Sequence, residues 1–129
     1  MPERKTVSEL TNGLNVSFKD MLVVLKAISN EKRFAILITL LTGDKTFNDL
    51  KKETNLKKTA LSNHLSKLIA AELILKPDHN RYRLTSDGEL FIRSLESIYS
   101  KSDIKEKKRI ESLQRGHFSD KFIESFFGR

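Results

Sequence analysis

Apolar positions recur at helical spacing over most of this chain and change to a strand-like pattern in one place. Phe18, Met21, Leu22, Leu25 and Ile28 fall at i, i+3, i+4, i+7 and i+10, a stripe down one face of a helix. Ser17 stands ahead of them as an N-cap, with Asp20 three residues on. Asn30 is placed to cap a second helix, in which Phe34, Leu37, Ile38 and Leu41 repeat the stripe and Gly43 offers a left-handed stop. Thr46 opens a short third segment, with Asp49 at capping-box spacing, Phe47 and Leu50 turned inward and Asn55 at its end. The fourth segment runs from Lys58 to Ala71 on a stripe of Leu61, Leu65, Leu68 and Ile69. Residues 73–76 and 81–85 are short and β-prone, and Pro77, Asp78, His79 and Asn80 make a turn between them. Ser86 and Asp87 then cap a fifth helix with Leu90, Phe91, Leu95 and Ile98 along its face.

Four helices, two short strands and a helix predict a mainly α chain with a small β-hairpin wing. The expected fold is a winged helix–turn–helix over residues 18–100, with extra N- and C-terminal helices. Residues 1–17, which include Leu10 and Leu14, form an N-terminal arm or short helix. Residues 101–129 form a C-terminal helical extension suited to dimerisation. That extension begins with the highly charged KSDIKEKKRIESLQR. After Gly116 it carries Phe118, Phe122, Ile123, Phe126 and Phe127 on one face. Burying such a face stabilises by roughly 1.5–3 kcal/mol per large side chain. Its own domain, a second subunit, another protein or a membrane surface would each supply the cover.

Composition narrows the chemistry. The 129 residues amount to one domain. The absence of cysteine excludes a disulfide framework, a thiolate metal site and a cysteine nucleophile. The opening MPERKTVSELTNG lacks the apolar run of a secretory signal. The longest apolar stretch, residues 34–41, is far shorter than the ~20 residues a spanning helix needs. The expectation is a soluble cytoplasmic protein with no membrane partner. No Gly-rich phosphate loop, HExxH or GxSxG occurs, so an enzyme finds no support.

The net charge of +7 permits nucleic-acid or anionic-membrane partners without selecting one. Its distribution is more telling. From Leu56 to Leu84, Lys57, Lys58, Lys67, Lys76, Arg81 and Arg83 face only Glu72 and Asp78. That excess falls on the fourth helix and the wing. With Leu61 at the centre of the buried face and a rotation of about 100° per residue, Thr59, Asn63 and Ser66 lie opposite, Lys67 beside them and Ser62 on the flank. Short hydrogen-bonding groups suit a major groove, where Asn pairs with adenine and Ser or Thr is adaptable. Lys57 and Lys58, in or before the first turn, are placed for phosphates. The same face also fits a plain solvated helix surface.

Alternation along the last strand turns Tyr82 to one side and both Arg81 and Arg83 to the other. Two readings follow: a wing on phosphates or the minor groove, or an edge strand protected by charge. His64, at the border of the apolar stripe, reads as a structural histidine or as a phosphate or base contact. His79 and His117 are isolated in sequence, and no metal site or cofactor is expected.

Three motifs carry a family resemblance from Leu25 to Tyr99. They are NEKRFAILITLL with Arg33, Ile36 and Leu37; LKKTALSNHLSKLIAAELI with Ser62, His64, Leu65 and Leu68; and RYRLTSDGELF with Tyr82, Leu84, Thr85 and Gly88. In this order and spacing they resemble the ArsR-like winged helix–turn–helix transcriptional regulators. The resemblance implies a regulator that binds double-stranded DNA sequence-specifically, as a homodimer paired through its first and last helices. It also implies a DNA contact at His64. Metal-sensing relatives use a cysteine pair in the third helix or Asp and His ligands in the fifth. TFNDLKKET and SDGELFIRSLESIYS hold neither Cys nor His, which argues against those types of sensing. A small-molecule or protein effector is compatible with the reading. Glu72 departs from the pattern, standing where the family usually has glycine. The alternative is a winged-helix module that binds protein and uses its basic face little.

Overall fold

The computed structural model describes residues 4–114. They form α1 (Val7–Val16), α2 (Phe18–Ile28), α3 (Glu31–Leu40), β1 (Lys45–Thr46), α4 (Phe47–Thr54), α5 (Lys58–Ala70), β2 (Ile74–Asp78), β3 (Arg81–Leu84), α6 (Ser86–Lys101) and α7 (Asp103–Gln114). One compact unit closes at Ile92, and a second begins at Arg93 with the rest of α6 and with α7. The architecture is the winged helix–turn–helix expected from the sequence. The Phe-rich segment from Phe118 to Phe127 lies outside the described residues.

Local chemistry sets most helix boundaries. Thr6 and Glu9 close a capping box on α1, and Thr46 and Asp49 close one on α4. The Asn30 side chain accepts from the Arg33 amide at the start of α3. Asn55 ends α4 in the left-handed conformation, its N–H donating to the Lys51 carbonyl. Ser17 corrects the expectation: it makes no side-chain cap on α2. Its φ of −99° and ψ of 11° keep the chain close to helical, so the hydroxyl lacks the extended backbone a cap requires. Its amide instead closes α1 on the Gly13 carbonyl. Helix α6 is capped by Thr85 rather than by Ser86 or Asp87: Thr85 Oγ1 accepts from the Gly88 amide and donates to the Glu72 carbonyl.

The core gathers Ile36, Leu37 and Leu40 of α3, Leu50 of α4, and Leu61, Leu65 and Leu68 of α5 against Leu73, Ile74, Tyr82 and Ile92. Three apolar stripes face differently from the sequence reading. Helix α2 turns Val24, Ala27 and Ile28 to the core and leaves Phe18 and Leu25 more than half exposed. Helix α3 buries Arg33, Ile36, Leu37 and Leu40, while Phe34, Ile38 and Leu41 remain accessible. The run FAILITLL is apolar on nearly every side, so two stripes fit it. Packing against α2, α4, α5 and β3 selects one of them. Helix α6 buries Gly88 and Ile92, leaving Leu90, Phe91 and Ile98 exposed.

The sheet has three antiparallel strands in the order β1–β3–β2. Lys45 and Thr46 pair with Tyr82 and Arg81, while Ile74 and Leu75 pair with Leu84 and Arg83. Strand β1 is only two residues long, too short to show a period, and the sequence reading omits it. The register slips between Leu75 and Asp78, where Pro77 cannot donate to a ladder. The tight turn is therefore His79–Asn80, with Asp78 still in β2 and accepting from the Asn80 amide. Glu72, at the exit of α5, has a φ of 59°, the left-handed region that glycine enters freely. Gly88 is a position of close approach: a Cβ there would collide with the Leu73 carbonyl oxygen.

Candidate nucleic-acid interface

Helix α5 begins without a side-chain cap. Lys57 occupies the cap position in extended conformation, Lys58 follows, and no acidic residue lies in the first turn. The first amides of a helix have no partner within it, and they carry the positive end of its dipole. Two lysines beside that end make it a locally electropositive tip. Leu61, Leu65 and Leu68 anchor the opposite side in the core. This rotation leaves Lys57, Lys58, Thr59, Ser62, Asn63, Ser66 and Lys67 exposed together. The structure thus brings seven of the candidate residues onto the accessible side of one helix.

His64 is half-buried, between that surface and the core. Its Nδ1 lies 3.2 Å from Arg33 Nη1. Burial pushes its pKa below the ordinary 6.5, and the charges of Arg33, Lys67 and Lys32 push it the same way. The ring is therefore neutral at pH 7.

The wing is less open than the sequence suggests. Tyr82 is buried as alternation predicts, with Lys76 Nζ lying 5.1 Å from its ring centroid. Arg81 and Arg83 are exposed, yet both are held by carboxylates. Arg83 donates from Nε and Nη2 to the two oxygens of Asp44, each at 2.8 Å. Arg81 donates to Asp78 at 2.8 and 3.1 Å and lies 4.0 Å from Asp44. The Arg83 hydrogen bond is the main influence holding the Asp44 carboxyl below its ordinary range. For Asp78, the Asn80 amide is the largest influence and Arg81 the next.

Sequence reasoning missed Asp44 and the buried role of Arg33. Asp44 stands just before the two-residue strand that places it beside β3, and only that pairing signals it. Arg33 had one signal, its place in a family motif. Among the described residues, no group of three or more His, Asp or Glu side chains is arranged to hold a metal ion. No helix among them is long and apolar enough to cross a membrane.

A hairpin wing beside a helix–turn–helix whose second helix exposes a polar face defines the class: a winged helix–turn–helix domain. A family model described as bacterial regulatory protein, arsR family, matches residues 30–76, from the α3 cap into β2. Among solved structures, the transcriptional regulator HlyU from Vibrio vulnificus is 28% identical with a TM-score of 0.55, covering 69% of this chain and 97% of that one. NolR from Sinorhizobium fredii is 26% identical with a TM-score of 0.57, covering 78% and 100%. The homodimeric winged helix–turn–helix DNA-binding domain of Mb0332 from Mycobacterium bovis is 18% identical with a TM-score of 0.56, covering 92% and 99%, and shares the fold. No match to a curated protein was found. The resemblance to ArsR-like regulators is borne out by this match over residues 30–76, and the neighbours bear out the fold.

Proposed function

We propose that this protein is a transcriptional regulator that binds double-stranded DNA sequence-specifically and works as a cytoplasmic homodimer. Helix α5 enters the major groove, and the β2–β3 wing lies on the backbone or minor groove. Residues 18–100 serve as the DNA-binding domain and residues 101–129 as an extension that supports pairing. One observation carries the reading: the basic, uncapped tip of α5 and its exposed row of Thr59, Ser62, Asn63 and Ser66. Lysines at the tip supply phosphate contacts, and the short polar side chains supply base contacts.

The dimer is supported by unpartnered apolar surface. Helix α1 buries no residue, and Leu10, Leu14, Phe18, Leu90 and Ile98 are each 47% exposed or more. Mb0332, of the same fold, is homodimeric. A two-fold pair suits a palindromic site and makes the second contact intramolecular.

The pairing of Arg81 and Arg83 with Asp44 and Asp78 favours a second reading, a winged-helix module that docks on protein. Selection of bound duplexes from a random DNA pool separates the two. Enrichment of one motif supports the regulator. A pool that stays random supports the module.

A further inference from the structure

Arg33 is buried, and each of its three guanidinium nitrogens has a partner. Nε donates to the Ala27 carbonyl at 2.7 Å and Nη2 to the Lys26 carbonyl at 3.2 Å. Both carbonyls belong to the last turn of α2, which leaves such oxygens without helical partners. Two anchors fix the plane of the guanidinium, and its Nη1 meets His64 Nδ1 at 3.2 Å. A guanidinium donates and never accepts. The Nδ1 atom must therefore be the acceptor, which leaves the ring proton on Nε2.

We propose that Arg33 is a positioning residue for DNA recognition: it fixes His64 as the neutral Nε2–H tautomer, so that α5 presents one defined donor to a DNA acceptor. This inference rests on the DNA-binding reading above and adds to it the hydrogen-bonding state of one contact. The charged groups around the ring agree with it. Arg33 and Lys32 from α3 and Lys67 from α5 are all cations, and a second ring proton at Nδ1 would both break the Arg33 bond and meet their repulsion. A neutral donor displaces no counterion. The His64 contact thus adds affinity without adding to the salt dependence, unlike the lysine contacts beside it.

The test has two arms. In the free, 15N-labelled protein, long-range 1H–15N spectra of the imidazole distinguish a protonated from an unprotonated ring nitrogen. Above its titration, His64 is expected to show an unprotonated Nδ1 and a protonated Nε2, and R33Q is expected to give a mixture of tautomers. A protonated Nδ1 in the unaltered protein overturns the proposal whatever the DNA result. The second arm leaves Arg33 in place, so it decides the matter even where R33Q does not fold. H64Q places an amide nitrogen where Nε2 stands, and H64N places one where Nδ1 stands. On the selected duplex, H64Q should bind within about threefold of the unaltered protein. H64N should lose about tenfold, near 1.4 kcal/mol, with both salt slopes unchanged. Equal losses for the two variants overturn the proposal. Absence of duplex binding by the unaltered protein overturns the reading beneath it, while the tautomer spectrum still stands or falls by itself.

Discussion

Asp44 grips Arg83 through both carboxylate oxygens across 39 residues of sequence, tying the end of the α3–β1 turn to the wing strand. Arg83 is exposed and Asp44 half-buried at the surface, where such bridges add little stability. Its consequence is electrostatic: a carboxylate occupies the guanidinium that the proposed DNA contact would offer to a phosphate. Asp44→Asn should therefore tighten binding to all duplexes and steepen the dependence of log affinity on log salt by about one unit for each phosphate newly bound. Arg81→Ala with Arg83→Ala should do the reverse. Titrations at four or five salt concentrations give both slopes, and unchanged slopes in every variant would place the wing off the DNA. Acidification is a poor substitute for Asp44→Asn. The folded-state pKa of Asp44 is lowered, so the pairing is lost only as the pH falls through that lowered value, below the ordinary 3.8.

Two backbone positions on either side of the wing should respond in opposite directions. Glu72 is held left-handed, which costs an L-residue roughly 1–2 kcal/mol. Glycine relieves that cost but loses about 0.5–1 kcal/mol in unfolded-chain entropy. Glu72→Gly should thus stabilise by up to about 1 kcal/mol. Gly88→Ala drives a methyl into the Leu73 carbonyl and should destabilise by roughly 1–3 kcal/mol. Urea unfolding followed by circular dichroism measures both. A destabilised Glu72→Gly would mean that the Glu72 side chain holds the turn.

His64 should leave a signature in the pH dependence of stability. Its pKa is lowered by folding, so the unfolded chain takes the proton more readily. Stability from this group is fully present above its ordinary 6.5 and declines as the pH falls from there toward the folded value. The melting temperature should therefore drop as the pH falls below 6.5, and His64→Gln should flatten that part of the curve. An identical curve for the variant would assign the slope to other groups.

The apolar surface on α1 should govern assembly. Leu10→Glu with Leu14→Glu places charge on a helix that has no fully buried residue among those described, at two side chains that are about half exposed, so the fold should survive while the pair separates. Sedimentation at micromolar concentration should show a dimer for the full chain and a monomer for the variant. A full-length monomer would remove the dimer from the account.

The sequence was most legible where chemistry is local. Thr46 with Asp49, Asn30 and Asn55 each set a boundary that the structure keeps, because a cap depends on a handful of adjacent atoms. The stripe was equally plain for Leu61, Leu65 and Leu68, which are buried, but Ile69, read as its fourth member, stays 38% exposed because it lies one step past Leu68 on the helix, toward solvent. Helices α2, α3 and α6 were harder because they carry apolar residues on more than one side. Leu37 belongs to both possible stripes of α3, and only its neighbours decide between them. At the candidate site, the row on α5 followed from that legible rotation. The engagement of Arg83 by Asp44 and of His64 by Arg33 did not, since each joins residues more than 30 positions apart.

The proposed function stands on α5 reading DNA sequence. The most direct test compares the affinity of the unaltered protein, and of Ser62→Ala and Asn63→Ala, for the selected duplex and for a scrambled one at fixed salt. A clear preference for the selected duplex is expected. Each substitution should cost about 1–3 kcal/mol on that duplex and little on the scrambled one, because a base contact is lost while the lysine contacts to phosphate remain. Equal losses on both duplexes, or no preference in the unaltered protein, would contradict it.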